Sequence, residues 1–201
     1  MAPRKTELVR GSFTAKEITD IKQLKLTCEM DFSLRNNNHI PLEDPLIVVA
    51  GGYFTSRILN HKINDINVFV LAGNKYSDFL KIKYISVTST KVNNHDYSNS
   101  NIHAIYDRRD RQSFGYKIQY IFRKETTREE LLSGFDYEHC KVSYSMRQMF
   151  INPRTYRAIK NMKLITTPGI TPKQKRTDKF LALGFTQDLP VLNVFDGDLV
   201  A

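Results

Sequence analysis

The stretch that decides the fold runs from Val48 to Arg57 and reads Val-Val-Ala-Gly-Gly-Tyr-Phe-Thr-Ser-Arg. The apolar run from Leu46 to Ala50 predicts a buried strand, and the two glycines let the backbone turn into a short helix from Tyr53 to Asn60. Backbone N–H groups at the start of a helix favour an anion, because they are unpaired and the helix dipole adds positive charge. We therefore predict a phosphate-binding site formed by Gly51, Gly52, Ser56 and Arg57.

A second apolar run, Ile63 to Leu71, predicts the next strand. Its polar residues Asp65 and Asn67 are two positions apart and therefore point to the same face of the sheet. Two acidic groups on such a face would hold a divalent metal beside the predicted phosphate. In this sequence only Asp65 is acidic.

The order of these elements resembles the pattern of the nucleotidyltransferase superfamily. That order is a strand, a Gly-Gly turn, a helix and a second strand with a pair similar to acid-x-acid. The resemblance is to the proteins similar to poly(A) polymerase and tRNA nucleotidyltransferase, particularly the small members found in phages and other viruses. Three later segments add to it: 117–121, 135–140 and 179–185. The resemblance covers roughly residues 45 to 186. It implies an α+β (or α/β) fold with a mixed β-sheet flanked by helices.

The resemblance also implies a reaction, nucleotidyl transfer from an NTP by two Mg²⁺ ions that three carboxylates hold. The catalytic residues would be Asp65 and Asp136, and the metal ligands would be Asp65, Asn67 and Asp136, with Glu138 behind. Asp136 and Glu138 lie on a predicted strand, Phe135 to Cys140, whose alternation lets these carboxylates reach the same place as Asp65. Asn67 stands where the family has an acid, and an amide brings no charge to the metal. We therefore expect a degenerate metal site with little or no catalysis.

The 201 residues suffice for one well-filled core. We predict a basic arm at 1–12, a nucleotidyltransferase-like domain at 13–186 and a tail at 187–201. No apolar run is long enough to cross a bilayer, and no signal peptide is visible, so we expect an intracellular protein without membrane contact. Cys28 and Cys140 lack metal-ligand spacing and are interpreted as reduced thiols, while a zinc role for His139 with Cys140 is disfavoured.

Flanking signals predict the remaining elements. A capping box of Thr14 and Glu17 begins a helix that reaches about Cys28. Further helices are predicted at 75–81, 126–132, 153–161 and 171–183, further strands at 84–87, 102–106 and 116–122, and a polar loop at 90–101.

The formal net charge is +9, from 30 Lys and Arg against 21 Asp and Glu. Such an excess favours nucleic acid or acidic protein surfaces as partners, although a basic surface that only aids solubility is an equal alternative. The arginines at 108, 109 and 111 lie in a turn that is more typical of a solvated hairpin end than of a phosphate contact. The densest basic group lies on the last predicted helix, and its candidate nucleic-acid-binding residues are Lys173, Lys175, Arg176 and Lys179.

Three functions are compatible with these features. The first is a pseudoenzyme that binds nucleotide or nucleic acid without turnover. The second is a structural virion or assembly component that uses the same fold and binds protein partners. The third is an active Mg²⁺-dependent nucleotidyltransferase that acts on RNA or another hydroxyl acceptor. We expect a location in the host cytoplasm, or in the virion if the protein is structural.

Overall fold

The computed structural model describes residues 12–33, 40–71, 90–91, 101–108 and 117–187. The helices are α1 (Ala15–Ser33), α2 (Gly52–Ile58), α3 (Arg128–Ser133), α4 (Pro153–Lys160) and α5 (Gln174–Ala182), with one 3-10 turn at Glu138–Cys140. The strands are β1 (Ile47–Ala50), β2 (Asp65–Leu71), β3 (Thr90–Lys91), β4 (Ile102–Arg108), β5 (Lys117–Arg123), β6 (Ser143–Ser145), β7 (Gln148–Phe150), β8 (Lys163–Leu164) and β9 (Thr186–Gln187). None of these helices has the length and hydrophobicity that a bilayer span requires.

A mixed sheet of seven strands organises the fold, in the order β3-β4-β5-β2-β1-β6-β7. The central pair, β2 and β5, is parallel, whereas the other pairs of this sheet are antiparallel. The mixed sheet with flanking helices confirms the predicted fold class. Because β2 lies between β1 and β5, the Gly-Gly turn that follows β1 is next to the N-terminal half of β2.

One face of the sheet is covered by α1, α2 and α4. Its core contains Phe32 from α1, Tyr53 and Phe54 from α2, and Ile159 from α4. The Phe32 ring contacts the Tyr53 ring with centroids 5.2 Å apart, so α1 and α2 pack on each other as well as on the strands. The capping box at the start of α1 is confirmed, since Thr14 N donates to Glu17 Oε2 at 2.8 Å and Glu17 N to Thr14 Oγ1 at 3.2 Å.

The opposite face is covered at one end by α3 and Phe135. Phe69 of β2, Ile121 of β5 and Leu131 of α3 form this smaller core, and the Phe135 ring packs on Phe69 at 5.6 Å. A capping box of Thr127 and Glu130 begins α3, which confirms the predicted helix at 126–132 with shifted ends. The other end of the same face carries polar residues instead of a hydrophobic cover.

A third cluster forms beyond the sheet, where α5, the 3-10 turn and the two-stranded β8–β9 ladder meet. Its buried members are Tyr137, Cys140, Leu164, Phe180 and Phe185. The Thr55 hydroxyl of α2 donates to the His139 carbonyl at 2.8 Å and ties this cluster to the main domain.

The predicted strand from Phe135 to Cys140 is wrong. Residues 137–140 are buried consecutively instead of alternately, and the segment closes a 3-10 turn in which Cys140 N donates to the Tyr137 carbonyl at 3.1 Å. Its only bridge within the described residues is the isolated pair Tyr137 with Thr166. The alternating residue types were misleading because both sides of this segment pack against other elements, so no face is left for solvent.

The other predicted helices and strands in the described residues are found with shifted ends, and α1 continues to Ser33. The predicted helix at 75–81 and strand at 84–87 lie outside the described residues, as do nearly all of the basic arm, the polar loop at 90–101, the tail and the arginines beyond 108.

Candidate functional site

The Gly-Gly turn has the sharp geometry that the sequence predicts. Gly51 has φ of +94° and ψ of −146°, a conformation that residues with a Cβ rarely adopt. A Cβ added at Gly51 would lie 3.8 Å from Asn67 Nδ2, whereas one at Gly52 would meet no atom within 4 Å. Gly51 therefore brings the backbone close to the Asn67 amide at the end of β1.

The end of this sheet face that none of the described helices covers, which we call the polar sheet end, consists of Asp65, Asn67, Asp107, Lys117 and Gln119. In the parallel β2–β5 pair, Asp65 is opposite Lys117 and Asn67 is opposite Gln119. In the antiparallel β4–β5 pair, Asp107 is opposite Gln119. Because paired residues on neighbouring strands point to the same face, these five side chains share one side of the sheet.

The polar sheet end is already bonded internally. Lys117 Nζ lies 2.5 Å from Asp107 Oδ2, and Gln119 Nε2 donates to Asp107 Oδ1 at 2.8 Å. Both oxygens of the Asp107 carboxylate are therefore engaged by neighbours on β5. Asn67 Oδ1 is buried and accepts no hydrogen bond from the protein.

These residues do not fit the pair of Mg²⁺ ions that the resemblance implies. Two such ions need several carboxylates around one point. Asp65 instead faces an ammonium group and Asn67 faces a second amide, while Asp107 is bound to Lys117. Among the residues that the structure describes, no three His, Cys, Asp or Glu side chains are grouped so that they could hold a metal ion.

Asp136 and Glu138 do not occupy the strand position from which they were predicted to complete the site. The Asp136 carboxylate pairs with Arg176 of α5, with 2.8 Å between Oδ2 and Nε. Glu138 is buried and pairs with Lys141, with 2.9 Å between Oε1 and Nζ. Since neither residue belongs to the seven-stranded sheet, the shared face with Asp65 that the sequence predicted is wrong.

Arg57 is positioned differently from the other predicted phosphate-binding residues. Its guanidinium forms an ion pair with Asp31 of α1, and Asp31 also accepts a 2.5 Å hydrogen bond from the Tyr53 hydroxyl. Arg57 also lines a groove of about 200 Å³ together with Asp20 and Tyr156, between α1, α2 and α4. The Arg57 guanidinium is thus paired within the protein, and phosphate binding by Arg57 and by the half-buried Ser56 stays a prediction.

His139 and Cys140 have the packing role that the sequence favoured. His139 is fully buried between the rings of Phe180 and Phe185, with centroid distances of 4.2 and 4.6 Å. Burial lowers the pKa of the imidazole to about 3, so it is neutral at physiological pH. Burial also raises the pKa of the Cys140 thiol, which disfavours a reactive thiolate.

The four predicted nucleic-acid-binding residues of the last helix divide into two kinds. Lys173, Lys175 and Lys179 are exposed. Arg176 is committed to the protein itself, because it pairs with Asp136 and its Nη2 lies 3.4 Å from Cys140 Sγ.

Sequence reasoning missed Asp107, Lys117 and Gln119 as members of the site. The strand that carries Lys117 was recognised, but nothing local shows that it pairs in parallel with β2. The available signal was the alternation of polar and apolar residues at 117–120, which marks Lys117 and Gln119 as neighbours on one face.

Comparisons with known proteins agree with this architecture. A sequence model described as Gabija anti-defense 2 family protein matches residues 22–161. No curated protein sequence matches significantly. Among solved structures, a CCA-adding enzyme in complex with ATP is similar with a TM-score of 0.50 and 14% identity, covering 71% of this chain and 36% of its own. An apo CCA-adding enzyme is similar with a TM-score of 0.50 and 13% identity, covering 88% of this chain and 41% of its own. The chain thus spans well under half the length of these enzymes, and at such identity the likeness shows the nucleotidyltransferase-like fold alone.

Proposed function

Because this chain belongs to the Gabija anti-defense 2 family, whose sequence model matches more than half of it, we propose that it suppresses Gabija defence. We further propose a phage or viral origin, which agrees with an anti-defense role and with the small size of the chain. The structural likeness to CCA-adding enzymes supports descent of the fold from nucleotidyltransferases.

We propose that the protein acts by binding and not by nucleotidyl transfer. The observation that carries this proposal is the polar sheet end, where Lys117 lies opposite Asp65 and binds Asp107. A fixed ammonium in this position opposes the entry of a divalent cation, because like charges repel and the Asp107 carboxylate is already neutralised. The amides of Asn67 and Gln119 contribute no charge that would offset this.

The same site keeps features that suit a bound nucleotide. The buried Gly51 brings its backbone close to the Asn67 amide, and Asn67 Oδ1 is a buried acceptor without a donor among the described residues. An unsatisfied buried acceptor costs roughly 1 to 3 kcal/mol, so a hydroxyl or amino group of a ligand would be bound favourably there. One of the solved structures with this fold was determined with ATP, which supports nucleotide as the ligand.

The first experiment measures defence directly. Bacteria that carry Gabija are infected with a Gabija-sensitive phage, with and without a plasmid that expresses this protein. We expect the wild-type protein and Asp65→Asn to restore plaque formation to the same level, since Asp65 is not needed for binding. Plaque formation that stays suppressed with the wild-type protein would refute the anti-defense role.

The second experiment tests catalysis. Purified protein is incubated with each labelled NTP, Mg²⁺ and an RNA acceptor, and incorporation is measured. We expect none above background. Incorporation that disappears in Asp65→Ala would refute a binding mechanism and would establish the alternative, an active nucleotidyltransferase. The remaining alternative, a structural virion component, predicts a fixed stoichiometry in purified particles, and the family match favours the anti-defense role over it.

A further inference from the structure

The positive charge of this protein is concentrated near the end of the described structure. Residues 135–187 contain ten Lys and Arg but only three Asp and Glu, a surplus of seven out of the net +9 of the whole chain. This segment includes the 3-10 turn, α4, α5 and the β8–β9 ladder. It therefore produces most of the positive field of the protein.

The three acidic side chains of this segment are already engaged. Asp136 pairs with Arg176 at 2.8 Å and Glu138 pairs with Lys141 at 2.9 Å. Asp178, the only acid on α5, accepts a 2.8 Å hydrogen bond from Gln174 Nε2. Asp178 keeps its negative charge, because the Gln174 amide is neutral, so the three acids offset three of the ten basic side chains.

The packing of α5 decides which of its lysines face solvent. Thr177 and Phe180 point inward, since the Tyr137 and Thr177 hydroxyls are 2.7 Å apart and Phe180 is buried in the third cluster. Lys175 and Lys179 are four positions apart on the outward side and are both exposed. In the part of the chain that the structure describes, neither of them forms an ion pair.

A further ammonium group is placed close to the end of α5 by the β8–β9 ladder. Lys163 of β8 is paired in register with Thr186 of β9, which directly follows the turn after α5. Lys160 ends α4 three residues earlier and is exposed. Basic groups from two helices and a strand thus lie in the same part of the molecule.

We propose that Lys175 and Lys179 form a contact surface for the phosphate backbone of a nucleic-acid duplex. Lysine is depleted in protein–protein interfaces, so an exposed lysine pair that forms no ion pair within the described residues fits a polyanion better than a protein surface. Single-strand binding sites stack bases on exposed aromatic rings, but the large exposed apolar side chains of the described residues are all aliphatic. A backbone contact of this kind is independent of sequence, and it is separate from the polar sheet end.

The proposal is tested by fluorescence anisotropy with labelled mixed-sequence duplexes of DNA and of RNA, over a range of KCl concentrations. Each lost phosphate contact lowers the slope of log affinity against log salt by about 0.9 for duplex DNA. For Lys175→Gln with Lys179→Gln we expect a slope lower by roughly 1.8. Over a fourfold rise in salt, the wild-type affinity should therefore fall about tenfold more than that of the variant.

The matched control is Lys16→Gln with Lys22→Gln, which removes the same charge from exposed positions of α1. We expect this control to keep the wild-type slope. The outcome with DNA and RNA duplexes shows which of the two is bound more tightly, and tighter binding of either supports the proposal. An equal decrease of the slope in both double variants would overturn the proposal, because the effect would then follow net charge only. A lack of duplex binding would also overturn it. Equal affinity for polyglutamate would overturn it as well, because it would indicate an acidic protein partner. These outcomes are independent of plaque formation in Gabija-carrying cells.

Discussion

Lys117 lies directly opposite Asp65 in the parallel β2–β5 pair, and its ammonium is 2.5 Å from the carboxylate of Asp107 on β4. A positive side chain thus occupies the place on the sheet where the resemblance to nucleotidyltransferases implies divalent cations. The proposed degeneracy of the site therefore rests on Lys117 as well as on Asn67, the departure that the sequence indicated.

The first prediction concerns Asn67→Asp. This change would raise the affinity for Mg²⁺ if the other predicted ligands surrounded the site. The structure predicts no rise in affinity, because Asp136 pairs with Arg176 and Lys117 lies opposite Asp65. Calorimetric titration with Mg²⁺ should show no binding to either the wild-type protein or the variant. A clear binding isotherm for Asn67→Asp would show that three ligands can still converge here.

The second prediction compares the two glycines of the turn. Gly51→Ala forces a residue with a Cβ to adopt φ of +94°, and we expect it to lower the free energy of unfolding by roughly 1 to 2 kcal/mol. Gly52→Ala is the matched control, since its Cβ would meet nothing within 4 Å and Gly52 begins α2. For Gly52→Ala we expect the free energy of unfolding to stay the same or to rise by up to about 1 kcal/mol. Urea unfolding measures the free energy of unfolding of both variants. An equal decrease in the two would contradict the role of the Gly51 conformation.

The third prediction is a pH dependence of stability caused by His139. Its pKa is about 3 in the folded protein against 6.5 as the ordinary value, so below pH 6.5 the unfolded chain takes up a proton that the folded protein does not. Stability should therefore fall by about 1.4 kcal/mol per pH unit as the pH decreases from 6.5. Urea unfolding at pH 6.5 and pH 5 measures this loss, in a range where most carboxylates stay ionised.

The comparison that isolates His139 uses His139→Phe, which removes two buried ring nitrogens that have no protein hydrogen-bond partner and keeps an aromatic ring. We expect this variant to lose most of the pH dependence between 6.5 and 5. His61→Gln, a change at an exposed histidine, should keep it. If both variants keep the wild-type pH dependence, another group causes it.

The fourth prediction concerns the ion pair of Arg57 with Asp31. The Asp31 side chain is only 6% exposed, so Arg57→Met leaves a largely buried carboxylate with a weaker set of partners. We expect the free energy of unfolding to fall by roughly 2 to 3 kcal/mol, and Asp31→Asn combined with Arg57→Met to recover part of it. Nucleotide affinity at the polar sheet end should stay unchanged in the folded variant. If Arg57→Met lost nucleotide binding without a loss of stability, the result would support the phosphate role that the sequence predicts for Arg57.

The elements that the sequence predicted correctly have local signals. Apolar runs, helix-capping residues and the alternation of polar and apolar residues are patterns within a few residues. They predict the strand before Gly51, the strand that carries Asp65, and the helices α1 and α3. The segment Phe135 to Cys140 misled the same reasoning, since its alternating residue types describe a strand but its surroundings bury it on all sides. The ion pair of Arg57 was also beyond this reasoning, because its partner Asp31 comes from a helix that is distant in the sequence.

By itself the sequence determined the glycine turn, the single acid of the β2 pair and the surplus of positive charge, since each of these is a property of residue types in order. Only the tertiary structure decided what faces that acid. The parallel pairing of β2 with β5 joins segments that are far apart in the chain, and its register sets Lys117 against Asp65 and Gln119 against Asn67. Register depends on how the whole sheet packs, so no local pattern could reveal that Lys117, Gln119 and Asp107 share one side of the sheet with Asp65.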